Sequence, residues 1–342
     1  MVHPISISEF LKKRATLPVI DVRSPGEFNN GHVPGAINVP LFSDEERAIV
    51  GTLYKQEGRE QAIHKGLEFV GPNLTRLVDL VKGYTLSPTV LIYCARGGMR
   101  SRSIAMLLSF AGHTVHQLTG GYKIFKQELR TRAIAPRKIV LLGGKTGSGK
   151  TAILNELARK GEQVIDLEGL ACHKGSSFGL LGQAPQPTPE QFIVNCLSAM
   201  EQYDPQKTIW IEHEGNRLGN LHVPQELWDA MHLAPVLMID VPTAYRAERL
   251  KQEYGIFAPS ELKNCVQLLE KRLGGAITKT VCTHLDQGNL DAVLALLMEH
   301  YDRSYEHNND RTDRANCFNL TLIGSSPAEH ADEIRAFWSS HT

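Results

Sequence analysis

The feature that most constrains this chain is the run Gly144-Lys145-Thr146-Gly147-Ser148-Gly149-Lys150-Thr151, set between the apolar stretch Ile139–Leu142 and the helical pattern Ile153–Lys160. A glycine-rich turn passing from a strand into a helix presents successive backbone N–H groups to one point, where they attract an anion. Gly144, Gly147 and Gly149 give the turn its freedom, amides from Thr146 to Thr151 cradle a diphosphate, and Lys150 neutralises its charge. The Thr151 hydroxyl can reach a magnesium ion, should one be used. Further apolar strand patterns at Val164-Ile165-Asp166, Thr208–Glu212, Val236–Val241 and Phe318–Ile323 alternate with helical ones. Together they predict a doubly wound parallel sheet over residues 138–342.

A phosphate loop needs a carboxylate at the end of a neighbouring strand. Asp166 and Glu212 both qualify by position, and the spacing does not choose between them. Asp240 also ends an apolar run, where it serves a following turn equally well. Arg246 and Arg249 lie three apart on one helical face, placed either to close over phosphate oxygens or to form a solvated surface.

Upstream, Leu17–Val22 and Thr89–Tyr93 read as buried strands, Gly31–Pro40 as a turn leading into a short strand, and Val115–Leu118 as another strand. Apolar residues recur at helical spacing between Ser43 and Val81, with Ser43-Asp44-Glu45-Glu46 as an acidic helix start. Ser101–Ala111 predicts a helix capped by Gly112. Residues 1–133 are therefore expected to form a small α/β domain with a helical insertion, and the basic, proline-containing stretch Thr131–Lys138 marks the boundary.

Within that first domain, Cys94-Ala95-Arg96-Gly97-Gly98-Met99-Arg100-Ser101 falls between a strand and a helix. The helix N-terminus and the guanidinium groups of Arg96 and Arg100 favour a thiolate, and Gly97 and Gly98 permit backbone conformations with positive φ. The same loop suits two chemistries. Cys94 and Arg100 match the C-x5-R spacing of phosphatases, whereas a rhodanese-type transferase would load sulfur or selenium onto the cysteine. A buried core cysteine is the bland alternative, and it is the reading given to Cys172, Cys196, Cys265, Cys282 and Cys317.

Asp21-Val22-Arg23, Glu27-Phe28 and Gly31-His32-Val33-Pro34-Gly35-Ala36-Ile37-Asn38 strongly resemble the rhodanese domain. A rhodanese-like α/β domain followed by a P-loop NTPase-like domain resembles the tRNA 2-selenouridine synthases over almost the whole chain. His173-Lys174-Gly175-Ser176-Ser177-Phe178-Gly179 looks like one segment of that family. Ile211–Gly219 is similar to its acidic segment, with His213 standing between Glu212 and Glu214.

The resemblance implies replacement of sulfur by selenium in wobble 2-thiouridine of tRNA, with selenophosphate as donor and geranyl diphosphate giving an S-geranylated intermediate. It implies that Cys94 carries the chalcogen, that Arg96, Gly97, Gly98 and Arg100 hold selenophosphate, and that the phosphate loop holds the prenyl diphosphate. No tightly bound cofactor and no resident metal are expected. The rivals are a C-x5-R phosphatase or sulfurtransferase joined to a nucleotide-binding domain, and a non-catalytic module.

Lys plus Arg and Asp plus Glu each total 37, so tRNA would have to meet a local basic patch. Lys123, Lys126, Arg130 and Arg132, with Arg137 and Lys138, form the candidate; Tyr122 and Phe125 are placed either to stack on a base or to bury a helix face. Six scattered cysteines without a CxxC pair, an N-terminus without a signal pattern and the lack of a long apolar span predict a cytoplasmic protein without a membrane anchor.

Overall fold

A computed structural model describes residues 1–309 and 316–341. The chain divides into two compact units, Met1–Ala133 with Ile193–Ser198, and Ile134–Phe192 with Ala199–Thr342.

The first unit is built on strands β1 (Val2–Ile5), β2 (Val19–Asp21), β3 (Ile37–Asn38), β4 (Thr89–Tyr93) and β5 (Thr114–Leu118). They form a parallel sheet in the order β1-β5-β4-β2-β3. β4 is central, and its Val90, Leu91, Ile92 and Tyr93 are completely buried, as a strand covered on both faces requires. The stretch between β3 and β4 holds helices Asp44–Gln56, Arg59–Val70 and Leu74–Tyr84. Ser43 starts the first of these with a reciprocal capping box: its hydroxyl accepts from Glu46 N–H at 3.2 Å, and Glu46 accepts from Ser43 N–H at 2.8 Å.

The second unit carries β6 (Lys138–Gly144), β7 (Gln163–Ile165), β8 (Thr208–Glu212), a short hairpin β9–β10 (Arg217–Leu218, Leu221–His222), β11 (Val236–Asp240) and β12 (Cys317–Thr321). Its parallel sheet runs β12-β11-β6-β8-β7. From β6 the chain runs to the edge strand β7, returns to β8 beside β6, then crosses to β11 and out to β12; this change of side leaves a crevice beyond the C-terminal end of β6. Trp210 and Trp338 meet edge to face at 5.7 Å within its core.

The fold is thus α/β in both units. Two readings shift at the edges. The strand expected to include Asp166 ends at Ile165, because Asp166 instead caps the helix Leu167–Ala171 and accepts from Gly169 N–H at 2.7 Å. The helix expected from Ser101 begins at Met99, which puts Arg100 in its first turn.

Two candidate anion sites

Both candidate loops leave the C-terminal end of a central strand and enter a helix whose first residue follows a glycine: Gly98 before Met99–Phe110, and Gly149 before Lys150–Arg159. Neither glycine has a side chain to cap the helix, so the first-turn amides are left to be met by something else.

In the cysteine loop, Cys94 is 3% exposed and packs on the sheet core, with Sγ 3.2 Å from the Ser101 hydroxyl. Gln117 Nε2 donates to Ser101 Oγ at 2.9 Å and to the Gly97 carbonyl at 3.2 Å. The loop is also fastened from the following helix, since Tyr122 N–H donates to Cys94 O at 2.9 Å and Lys123 N–H to Ala95 O at 3.0 Å. Close approach dictates glycine here: a Cβ on Gly121, at φ 60°, would lie 2.2 Å from Cys94 O. Gly97 takes φ 64° as expected, but Gly98 does not; its φ of −93° is open to other residues. The sulfur is thus buried beneath the loop, between the Ser101 hydroxyl and the sheet core.

The two arginines of this loop differ. Arg100 is held by Glu27 through Nη1–Oε2 at 2.5 Å and Nη2–Oε1 at 3.2 Å, whereas Arg96 is exposed. Burial works to raise the Glu27 pKa, yet the Arg100 bond and charge, with Arg47 beyond, hold it below its ordinary value. Nearby, Asp21 and Arg23 form a buried pair (2.6 Å) that also ties Arg23 to Gly31 O, with the guanidinium 4.0 Å from the Tyr122 ring. Tyr122 and Phe125 are accordingly core residues, 6% and 0% exposed, stacked at 6.2 Å, so the base-stacking alternative does not stand. On the same helix, Gly121–Ala133, Lys123 and Arg130 are exposed; Lys126 lies over Tyr122, and Arg132 pairs with Glu128 at 2.8 Å.

In the second loop, Gly147 and Gly149 adopt φ of 81° and 86°, the left-handed conformation that a phosphate cradle needs. Lys150 Nζ donates to its own loop at Gly144 O, 2.9 Å. The Thr151 hydroxyl lies 2.7 Å from Glu212 Oε1 and 3.2 Å from Glu168 Oε2. Between the two strand-end carboxylates, Glu212 is the one that reaches the loop, while Asp166 is spent on its cap. Glu168 was not among the expected residues; it lies three residues past the strand end, on a helix the apolar pattern gave no reason to separate.

Burial, then Glu168 and Glu214, push the Glu212 pKa well above the carboxylate range; burial, then Glu214, push Glu168 up to about 7; and burial raises Glu214. Burial opposes the Lys150 charge, but Glu214, Tyr305, Glu212 and Glu168 outweigh it and raise its pKa. Burial, then Lys150, depress the His213 pKa, favouring the neutral ring at neutral pH. The raised values favour the protonated glutamates, which lessens their repulsion of an arriving anion.

The arginine pair separates. Arg246 is 3% exposed, donates from Nε to Thr146 O at 2.8 Å and forks onto Asp302 at 2.9 and 2.5 Å, so it is a strut for the loop and not a lid over phosphate. Arg249 packs its guanidinium against Gly149 and lines the cleft. That cleft, about 1190 Å³, is walled by the phosphate loop, Glu168, Lys174, Glu214, Arg249 and Tyr301 among others. A second, apolar cavity of about 40 Å³ shares Thr146, Ser176, Leu250, Tyr254 and Tyr301 with it.

The rhodanese-like domain family matches residues 6–128, and the family described as tRNA 2-selenouridine synthase AAA domain matches residues 137–265. A tRNA 2-selenouridine synthase of Salmonella paratyphi A (strain ATCC 9150 / SARB42) is 35% identical over 86% of this chain and 89% of its own length. One from Sulfurovum sp. (strain NBC37-1) is 33% identical over 94% of each. The chain belongs to the tRNA 2-selenouridine synthase family. Its rhodanese-like part carries the cysteine loop, and the family's AAA part carries the phosphate loop together with Glu168, Glu212, Glu214 and Arg249. Among the described residues no helix is long and apolar enough to cross a membrane.

Proposed function

We propose that this protein selenates tRNA in the cytoplasm, replacing the sulfur of wobble 2-thiouridine with selenium from selenophosphate by way of an S-geranylated nucleoside made from geranyl diphosphate. The observation that carries the reading is the apolar cavity opening off the phosphate-loop cleft. A loop that cradles a diphosphate beside a pocket with a polar mouth and apolar deep walls suits a diphosphate with a hydrocarbon tail better than a nucleotide, whose base and ribose need hydrogen-bonding partners.

In the first step the thiocarbonyl sulfur bonds to C1 of the prenyl group, the C1–O bond breaks with its electron pair leaving on the diphosphate, and the base loses its N3 proton. The amides from Thr146 to Thr151, Lys150 and Arg249 stabilise the charge that grows on the leaving group. Glu168 or Glu214, raised in pKa at the cleft wall, is suited to proton exchange in the same cleft. The orphaned, buried Glu212 Oε2 and the Thr151 hydroxyl are oxygen donors of the kind magnesium takes; when bound, the ion would neutralise part of the diphosphate charge.

In the second step the loop amides with Arg96, Gly97, Gly98 and Arg100 hold the selenophosphate beside Cys94; its selenium bonds to C2 of the base, the C2–S bond breaks with geranylthiolate leaving, and the Cys94 thiolate takes the phosphoryl group from selenium, breaking the P–Se bond, and passes it to water as phosphate. Lys123 and Arg130, seven residues apart and exposed, supply a stripe for the tRNA backbone, with Lys126 and Arg132 flanking it. The test is to incubate the protein with thiolated tRNA and geranyl diphosphate, with and without selenophosphate, and weigh the nucleosides. A prenyl adduct without the donor, and selenium in place of sulfur with it, are expected. Neither product, together with Cys94-dependent phosphate release from a phosphoester, would instead establish the phosphatase reading.

A further inference from the structure

The cavity beside the phosphate loop has two kinds of wall. The residues it shares with the cleft include the polar Thr146, Ser176, Tyr254 and Tyr301, and these form its mouth. Every lining residue beyond them is apolar: Phe178, Leu262, Val266, Leu285 and Leu297 belong to one buried cluster, and none of these five is more than 7% exposed. The walls come from separate helices, Pro259–Leu268, Gly275–Asp286 and Leu290–Asn309, packed on one another, so the cavity is bounded on several sides. It measures about 40 Å³, room for roughly three or four water-sized groups, comparable to one branched isoprene unit and too small for two.

We infer that this cavity is a ruler for the tail of the diphosphate substrate: it takes the terminal isoprene unit of a ten-carbon chain, whose first unit lies at the mouth between Thr146 and Tyr301, and it turns away a fifteen-carbon chain. The inference rests on the prenyl-transfer reading above. Its energetic basis is close packing. A longer tail must displace Val266 or Leu285 from a filled core or leave its last methyls in water, and neither is repaid by a hydrogen bond. A shorter, five-carbon tail leaves the cavity vacant and loses the contacts its walls would make.

The experiment compares dimethylallyl, geranyl and farnesyl diphosphates as donors to thiolated tRNA, reading kcat/KM for each from nucleoside mass. The wild-type protein is expected to favour geranyl over farnesyl by about tenfold or more. Phe178→Ala, which opens the wall, is expected to bring farnesyl level with geranyl; Val266→Phe, which fills the cavity, is expected to move the optimum to dimethylallyl. Each result is a ratio within one preparation, so a lower folded fraction does not shift it, and binding of inorganic diphosphate checks that the loop is intact. If one variant fails to fold, the other and the wild-type ratio still decide. Ratios unchanged in the folded variants, or no wild-type preference among the three donors, would overturn the ruler while leaving prenyl transfer standing. No adduct from any donor would instead overturn the prenyl-transfer reading itself.

Discussion

The two loops begin alike, with a central parallel strand, a glycine-bearing turn and a helix lacking a side-chain cap, yet they are finished in opposite ways. Around Cys94 the backbone closes in: the loop carbonyls are bonded by Tyr122 and Lys123 amides, and Arg100 is already paired with Glu27. Around Lys150 the structure opens into a cleft, with protonatable glutamates along the wall and an apolar cavity behind. The first arrangement holds one atom in place and admits little more than a small anion. The second accepts a large ligand with a charged head and a greasy tail. Shared topology therefore says where an anion goes, while the side chains around it say what else the ligand must be.

The contrast can be broken most sharply at Lys150. Lys150→Ala should lower prenyl transfer by about 10²- to 10³-fold, since a preorganised charge opposite the leaving group is lost, while selenation of tRNA already carrying the S-geranyl group proceeds. Single-turnover assays on the two tRNA forms separate these outcomes. Next comes Arg246→Ala, which leaves Asp302 without its buried partner and should destabilise the protein by about 3 kcal/mol in urea unfolding; a lid residue would show normal stability with weaker diphosphate binding. Arg100→Ala should raise KM for selenophosphate by about tenfold with prenyl transfer unchanged, as expected for one charge-assisted contact.

The smallest effect is a pH slope. Folded Glu168 keeps its proton up to about pH 7, while in the unfolded chain it ionises near its ordinary value of 4.5, so its contribution to stability is present below that lower value and is lost as pH rises toward 7. The melting temperature of the ligand-free protein should fall between pH 5 and 7, and Glu168→Gln should make that fall shallower. An unchanged slope would remove Glu168 from the account of the cleft.

The sequence disclosed both loops and the long apolar strands because each is a local pattern, an apolar run or glycines at fixed offsets, but not β1, whose Val2–Ile5 holds a histidine and a proline, nor the two-residue strands β9 and β10. It disclosed much less of what surrounds them. Glu27 and Arg100 are 73 residues apart, and Arg246 and Asp302 are 56 apart, so no spacing rule joins them. Glu168 escaped because Asp166 occupies the strand end and looks like the better partner, although its carboxylate is already used as a helix cap. Tyr122 and Phe125 suited either a base or a core, and only the packing of Phe10, Tyr93 and Arg23 around them shows which. The apolar cavity has no local signature, since its walls come from helices that each read as ordinary amphipathic segments.

The division of labour between the loops is tested most directly with Cys94→Ala protein, thiolated tRNA, geranyl diphosphate and selenophosphate together, followed by nucleoside mass analysis. The S-geranyl nucleoside should accumulate at close to the wild-type rate, with no selenium incorporated. Loss of both products, or selenium incorporation without the thiol, would contradict the assignment of separate chemistry to the two loops.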